Sequence, residues 1–362
     1  MSLLTHPDLP TESVTLLDIT PAEARRQVAA WVEHQGLPSY RTSQILPRLW
    51  QRPVATWEDA TELPREVRAA LDTRFPLPRL ILDTRRDSRD GTRKYLWRLA
   101  DGEAIESVLI PSGSRRTLCI SSQVGCALGC RFCATGRMGF RRNLAAWEIV
   151  AQVRALVLED PAETPTNIVF MGMGEPLLNW PAVDTALTIL NQPEGFGIGA
   201  RHITVSTVGI LPGLALLARR PEQFRLAISL HAGDTATRAR LMPVERKYDL
   251  AAVLTAARAF TRRVTFEYVL IAGVNDGDED ASALTTLARP LAAMVNLLPL
   301  HPGGDRSLTP SDPRRLQEFA DRLRAGGVEA VVRRSRGLDI EAACGQLRVA
   351  VDGPRAARRA QA

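Results

Sequence analysis

Past a first dozen residues that read as frayed, apolar positions fall at helical spacing and later switch to alternation. Thr20-Pro21-Ala22-Glu23 is a capping box with proline at the first helical position, which predicts a helix to about His34, ended by Gly36-Leu37-Pro38. A second helix starts near Arg41 and carries Ile45, Leu49 and Trp50 on one side, with Pro47 in its first turns. A third runs from about Pro64 to Arg74 and sets Val67, Leu71 and Phe75 at helical intervals. The period then becomes two. Strands are expected over Arg79–Thr84, Tyr95–Leu99 and Ile105–Ile110, with turns at Asp87–Gly91 and Asp101-Gly102.

From Thr117 strands and helices alternate. The strand-like runs are Leu118–Ser121, Asn167–Met171, His202–Ser206, Arg225–Leu230, Val264–Leu270 and Met294–Leu300. Helical patterns lie between them at Ala145–Val157, Pro181–Leu190, Leu250–Phe260 and Glu279–Ala288, and Pro313–Ala325 leads to a last strand, Glu329–Arg333. Six β-α units with short loops argue for a parallel sheet. Polar motifs follow the strands directly: Gly172-Met-Gly-Glu175, Ser206-Thr207, Ser229-Leu-His231 and Pro299-Leu-His301. Residues at the carboxyl ends of parallel strands converge on one mouth when the sheet curls. The expected class is therefore α/β, a partial (β/α)6 barrel behind a small helical module and a β extension.

Composition narrows this little: 45% hydrophobic and 24% charged residues are ordinary for a globular chain. The longest apolar stretches, Leu291–Val295 and the run around Leu211–Ala218, fall short of a bilayer span, so no membrane association is expected. Met1–Pro10 has neither the basic start nor the apolar core of a signal peptide. Five cysteines, an odd number, suit a reducing cytoplasm better than a disulfide framework. Net charge is +6, and all but two of the 46 basic residues are arginine. That bias alone follows from a GC-rich genome, but its placement is more telling. Arg115, Arg116, Arg137, Arg141 and Arg142 flank the cysteine-rich region, and Arg333, Arg334 and Arg336 precede Cys344. Such crowding suits a polyanionic substrate; ordinary solvated surface is the alternative.

The sharpest chemical signal is Cys126-Ala-Leu-Gly-Cys130-Arg-Phe-Cys133. Three thiolates can hold three irons of a cubane and leave the fourth open, whereas iron–sulfur electron carriers use four cysteines. A structural zinc would need a fourth ligand, for which Cys119 is available without a local partner. Gly172-x-Gly174 lacks the third glycine and the downstream acid of a dinucleotide fingerprint, which argues against a Rossmann oxidoreductase.

The spacing C-x3-C-x2-C resembles the signature of radical S-adenosylmethionine (SAM) enzymes. Further motifs run through the chain: Tyr40-Arg41 with Gln44-Ile45, Ala104-Ile-Glu106-Ser-Val, Cys119-Ile-Ser-Ser-Gln-Val-Gly-Cys126 and Phe132-Cys133-Ala-Thr-Gly136. They continue with Gly139-Phe140-x-x-Asn143-Leu144, Phe170-Met-Gly-Met-Gly-Glu175-Pro176-Leu177 and Val205-Ser206-Thr207-Val208-Gly209. Ser229-Leu-His231, Gly273-Val-Asn275-Asp276 and Asp339-Ile-x-Ala-Ala-Cys344-Gly-Gln-Leu347 complete the set. In this order, from about Leu16 to Val349, they resemble the RlmN/Cfr family of radical SAM RNA methyltransferases.

The resemblance implies roles for each. Cys126, Cys130 and Cys133 hold a four-iron, four-sulfur cluster, and Gly174, Glu175, Ser206, Ser229, Leu230, His231 and His301 contact SAM. Cys344 carries a methyl group taken from one SAM. A second SAM, cleaved at the cluster, gives a radical that removes hydrogen from that methyl, and the product adds to carbon 2 of adenine. Glu106 then takes the ring proton, and Cys119 attacks the Cys344 sulfur to free the base through a transient disulfide. Residues 1–76 are an RNA-binding accessory module, 77–113 a β extension, 114–335 the radical SAM barrel and 336–362 the segment bearing the carrier cysteine. Expected partners are 23S rRNA at the peptidyl-transferase centre, the anticodon-adjacent adenosine of tRNA, and a flavodoxin or ferredoxin, with the protein acting as a cytoplasmic monomer.

One position departs from the pattern: His301 stands where better-known members have asparagine before proline. Val124, where the enzyme acting on carbon 8 has a further cysteine, and Glu175-Pro176-Leu177 rather than Glu-Ala-Leu favour carbon 2 over carbon 8. Two rivals stay open, an RNA-binding protein with a structural metal and a radical SAM enzyme acting on a small molecule. The second leaves Cys119 and Cys344 unexplained.

Overall fold

The computed structural model describes residues 15–347. The frayed start, Val349 and the end of the C-terminal segment lie outside the described residues. Helix α1 (Pro21–His34) begins as expected: the Thr20 side chain accepts the Glu23 N–H, and Pro21 occupies a position whose N–H has no helical partner. Its buried face is Ala24, Val28, Trp31 and Val32, one stripe of a 3.6-residue period. Helix α2 (Arg41–Ile45) passes into a 3-10 turn, Leu46–Arg48, at Pro47, which cannot donate to the preceding turn. Helix α3 (Arg65–Arg74) closes the module, and Phe75 packs edge-on against Trp31 with centroids 5.9 Å apart.

Twelve strands follow among the described residues, ten of them in one sheet in the order β1-β2-β3-β4-β7-β8-β9-β10-β11-β12. β1 (Ile81–Asp87), β2 (Arg93–Arg98) and β3 (Ala104–Ser112) form an antiparallel meander that joins β4 (Arg115–Cys119). The first strand starts later than expected, at Ile81, and ends at Asp87, where the anticipated turn begins. It is an exposed edge strand, so no buried face imposes alternation on its sequence. β4, β7 (Asn167–Phe170), β8 (Ile203–Thr207), β9 (Arg225–Ser229), β10 (Thr265–Leu270), β11 (Met294–Pro299) and β12 (Ala330–Val332) pair in parallel. Helices return between them: α5 (Ala146–Glu159), α6 (Trp180–Asn191), α7 (Leu211–Ala218), α9 (Leu250–Ala257), α10 (Asp278–Ala288) and α11 (Pro313–Ala325). The sheet stays open between β1 and β12, so the barrel is partial.

Two strands and three α-helices among the described residues were not foreseen. A two-stranded ribbon of β5 (Gln123–Gly125) and β6 (Phe140–Asn143) brackets the cysteine loop and the short helix α4 (Ala134–Met138). Gly125 has φ +74, and a Cβ there would lie 1.9 Å from the Gly139 carbonyl oxygen, so only glycine lets the ribbon close. α7 comes from a run apolar on every side, which carries no helical period. α8 (Thr235–Leu241) is capped by Asp234, whose side chain accepts the Thr237 N–H. Among the described residues no helix is long and apolar enough to cross a membrane.

Candidate active site

Strand register decides which side chains share a face, because opposed residues point the same way and alternate residues repeat it. Leu96 pairs with Glu106, Lys94 with Val108, and Val108 with Cys119, so Lys94, Glu106 and Cys119 share one face across β2, β3 and β4. Glu106 is buried in mid-strand with its carboxylate 3.1 Å from Lys94 Nζ. It is therefore not a solvated acid ending a strand. Its backbone carbonyl accepts the Ser121 hydroxyl at 2.6 Å.

The three cysteines leave the end of β5 on a loop fixed from several directions. Cys126 N–H donates to the Gly139 carbonyl and Arg131 N–H to the Leu241 carbonyl, each at 3.0 Å. Arg131 also pairs with Asp305 at 2.6 Å. Burial pushes the Cys126 thiol up to about 12 and Cys130 well above the usual thiol range, with Glu175 raising both further. Among the described residues no three His, Cys, Asp or Glu side chains are grouped to hold a single metal ion.

Glu175 follows β7, and both its oxygens are engaged: Oε1 accepts the Leu177 N–H and Oε2 the Val208 N–H, each at 3.0 Å. Burial nevertheless pushes its carboxyl up to about 7, and no basic side chain is among the groups that hold it down. This is a buried acid with an open demand for a cation. Gly174 has a local reason to be glycine, since a Cβ would lie 2.5 Å from the Gln123 Cβ. Gln123 in turn accepts the Glu175 N–H at 2.9 Å.

Ser206 and Ser229 sit at the ends of β8 and β9, and Ser229 pairs in register with Glu267 of β10. Leu230 is fully buried; its N–H goes to the Glu267 carbonyl and its own carbonyl accepts Arg238 Nε. His231 is buried with φ 58, a strained backbone for a residue with a side chain. Three bonds hold it: Nδ1 accepts the Val269 N–H at 3.0 Å, the His231 carbonyl accepts Asn275 Nδ2 at 2.8 Å, and the His231 N–H donates to the Glu267 carbonyl at 3.3 Å. An acceptor Nδ1 fixes the neutral tautomer with hydrogen on Nε2, consistent with burial and Arg238 pushing the ring down to about 3. Phe132 of the cysteine loop packs against it, centroids 4.4 Å apart. His301 is half-buried, and its Nε2 lies 2.6 Å from the Ser335 hydroxyl.

The last strap, Gly337 to Leu347, is held on both sides. The β1–β2 turn grips it through Ser88 to Asp339 at 2.6 Å and Gly337 N–H to Asp90 at 3.0 Å. The cysteine loop grips the far end: Ala134 N–H donates to the Gly345 carbonyl at 2.7 Å and Thr135 Oγ1 to the Leu347 carbonyl at 2.6 Å. Cys344 lies between these grips. Solvent reaches it, yet surrounding protein pushes the thiol up to about 11, with Glu267 and Cys133 acting in the same direction and Arg333 opposing. Cys119 is raised by burial and by charge at Cys344, which sets the two thiols within electrostatic reach. All five cysteines are free, so the disulfide implied by the resemblance is not standing in this structure.

Sequence reasoning missed Lys94, the buried Arg238–Glu245 pair that anchors the Val208 and Leu230 carbonyls, and Glu267 bonded to Asn296 at 2.8 Å. Lys94 had one faint signal, a lysine immediately before the apolar run Tyr95-Leu96-Trp97 of a chain with only one other lysine.

Residues 120–284 match the Radical SAM superfamily. The chain is 58% identical over 333 residues to a probable dual-specificity RNA methyltransferase RlmN of Gemmatimonas aurantiaca, covering 92% of each. It is 46% identical over 340 residues to the protein so described in Heliobacterium modesticaldum, covering 90% of this chain and 88% of that one. The chain belongs to the RlmN family of radical SAM proteins. A crystal structure described as a radical SAM methyltransferase from Sphaerobacter thermophilus superposes with a TM-score of 0.87 at 46% identity, covering 92% of this chain and 99% of that one.

The family's fold is one that binds an iron–sulfur cluster and SAM, and the residues present suit both. Buried thiols with raised pKa values need metal cations to ionise, and Glu175, whose charge raises both thiols, is a buried carboxylate without a basic partner. Cys119 is raised by burial and by charge at Cys344, and no cysteine of the triad is among the groups that raise it.

Proposed function

We propose that this protein methylates carbon 2 of adenosine in 23S rRNA and in tRNA, with Cys344 as methyl carrier. The placement of Cys344 carries the reading. It is solvent-accessible, its strap is tied by backbone to the helix that follows Cys133, and charge at Cys133 raises its thiol as charge at Cys344 raises that of Cys119.

Cys126, Cys130 and Cys133 would hold the cluster. Glu175 would meet the SAM ammonium, and Ser206, Ser229 and His231 Nε2 would line the rest of that ligand. The bound cluster and SAM supply the radical that activates the methyl group on Cys344. Carbon 2 lies between two ring nitrogens and is too electron-poor for displacement at the SAM methyl, which is why a carrier is needed. The Cys344 sulfur, once deprotonated, takes the first methyl group. Glu106 accepts the ring proton, the Cys119 thiolate attacks the Cys344 sulfur to form a disulfide, and the sulfur–carbon bond breaks with its electron pair passing to the methylene carbon, which takes up a proton to become the methyl group. Leu230 contributes no side chain, being packed in the core. Buried Val124, in place of a further cysteine, supports carbon 2 over carbon 8.

The helical module and the β extension would grip RNA through shape and phosphates. A flavodoxin or ferredoxin would supply electrons to the monomer, and the free thiols suit a reducing cytoplasm. The test is nucleoside mass spectrometry of 23S rRNA and tRNA incubated with reconstituted protein, SAM and reductant. 2-Methyladenosine is expected. 8-Methyladenosine would overturn the regiochemistry, and unmodified RNA the activity.

A further inference from the structure

Lys94 occupies a position that the reading above leaves without a task. It is buried on β2, its Nζ lies 3.1 Å from Glu106 Oε1, and it donates to the Glu341 carbonyl at 3.2 Å. One ammonium thus joins the acid on β3 to the strap three residues before Cys344. Strand register places it on the same face as Cys119.

The identity of the residue is informative. All but two of the 46 basic residues here are arginine, so a lysine at this point runs against the composition of the chain. An ammonium is compact, carries three donors and can serve one carboxylate and one carbonyl at close quarters. A guanidinium brings five donors in a planar fork, which this space would have to satisfy. Glu175 shows what burial does to an acid with no counter-charge in the same protein: its carboxyl rises to about 7.

We propose that Lys94 is a positioning residue for the deprotonation step, holding Glu106 as a carboxylate on the Cys119 face and tying it to the Cys344 strap. This rests on Glu106 as the proton acceptor and Cys344 as the carrier. In that step the ring C–H bond breaks, its electron pair stays with the base, and the proton passes to Glu106, which becomes a neutral acid beside the ammonium. A Glu106 already protonated has no room for the proton. Lys94 touches neither base nor SAM; it acts through Glu106 and the Glu341 carbonyl.

The experiment is an anaerobic single turnover of reconstituted full-length protein with SAM, reductant and RNA, followed for three species: methyl on the Cys344 peptide, covalent protein–RNA adduct, and released methylated RNA. Lys94→Met should keep the methyl on Cys344, accumulate adduct as Glu106→Gln does, and slow release about a hundredfold, the scale of losing a general base. Lys94→Arg should restore part of the release. Lys94→Met with Glu106→Gln should release no more slowly than Glu106→Gln alone. That pair leaves neither charge buried without its partner, so with Lys94→Arg it keeps the test open where Lys94→Met does not fold.

Release by Lys94→Met at a rate close to that of the unaltered protein would overturn the proposal. So would loss of Cys344 methylation in step with loss of release, which would make Lys94 a support of the strap alone. If Glu106→Gln itself releases product normally, it is the base assignment that fails.

Discussion

The Ala134 N–H donates to the Gly345 carbonyl at 2.7 Å, so the helix that closes the cysteine loop is bonded to the residue after Cys344. Thr135 repeats the link one residue on, to the Leu347 carbonyl at 2.6 Å in a buried position. The Cys344 strap and the cysteine loop therefore form one unit. Thr135→Val removes a hydroxyl and leaves that carbonyl unpaired, at a cost of about 1–3 kcal/mol. Hydrogen exchange should show faster opening of the strap with the rest of the barrel unchanged; unaltered exchange at the strap would contradict the link.

Arg238 and Glu245 form an ion pair with side-chain exposures of 0% and 1%. Arg238 also reaches the Val208 and Leu230 carbonyls, and Glu245 the Leu250 N–H, so the pair pins the loops that carry the polar motifs. Removing one partner strands a buried charge. Arg238→Met should destabilise the protein by about 3–5 kcal/mol in urea titration, and the pair Arg238→Met with Glu245→Gln should recover a good part of it. Equal losses in both variants would mean that the pinned carbonyls matter more than the charge.

Protein around Cys344 pushes its thiol up to about 11, with Glu267 raising it further and Arg333 lowering it. Only the thiolate alkylates, so iodoacetamide labelling of the Cys344 peptide in cluster-free protein should climb through pH 9 to about 11. The signs follow from the charges. At pH 8 Glu267→Gln should label faster and Arg333→Met more slowly than the unaltered protein. The opposite order would mean that packing, and not charge, sets reactivity there.

His301 shares a 2.6 Å contact with Ser335 through Nε2, which leaves Nδ1 as its other polar atom. Asparagine offers a donor and an acceptor in a similar position. His301→Asn should bind SAM within about threefold of the unaltered protein, and His301→Ala should lose about tenfold, roughly one charge-free hydrogen bond, by equilibrium dialysis. Equal affinity in all three would remove His301 from the SAM site.

Much of the barrel was legible because its strands are short apolar runs each followed by a polar motif, a signal carried within single segments. The three cysteines were legible for the same reason. The Lys94–Glu106 pair was not, because it depends on register between β2 and β3, which no local pattern states. Cys119 and Cys344 lie across most of the barrel in sequence, and only the resemblance joined them; in the fold, charge at Cys344 raises the Cys119 thiol. α7 and the β5–β6 ribbon escaped notice, the first for lack of a polar face, the second for being three and four residues long.

The most direct test of the whole account is the mass of the Cys344 peptide after incubation with SAM bearing a deuterated methyl group, in the unaltered protein and in Cys119→Ala with RNA present. The account predicts one labelled methyl on Cys344 in the first and RNA joined covalently to Cys344 in the second. Methylated RNA formed while Cys344 stays bare, with no adduct in Cys119→Ala, would contradict it.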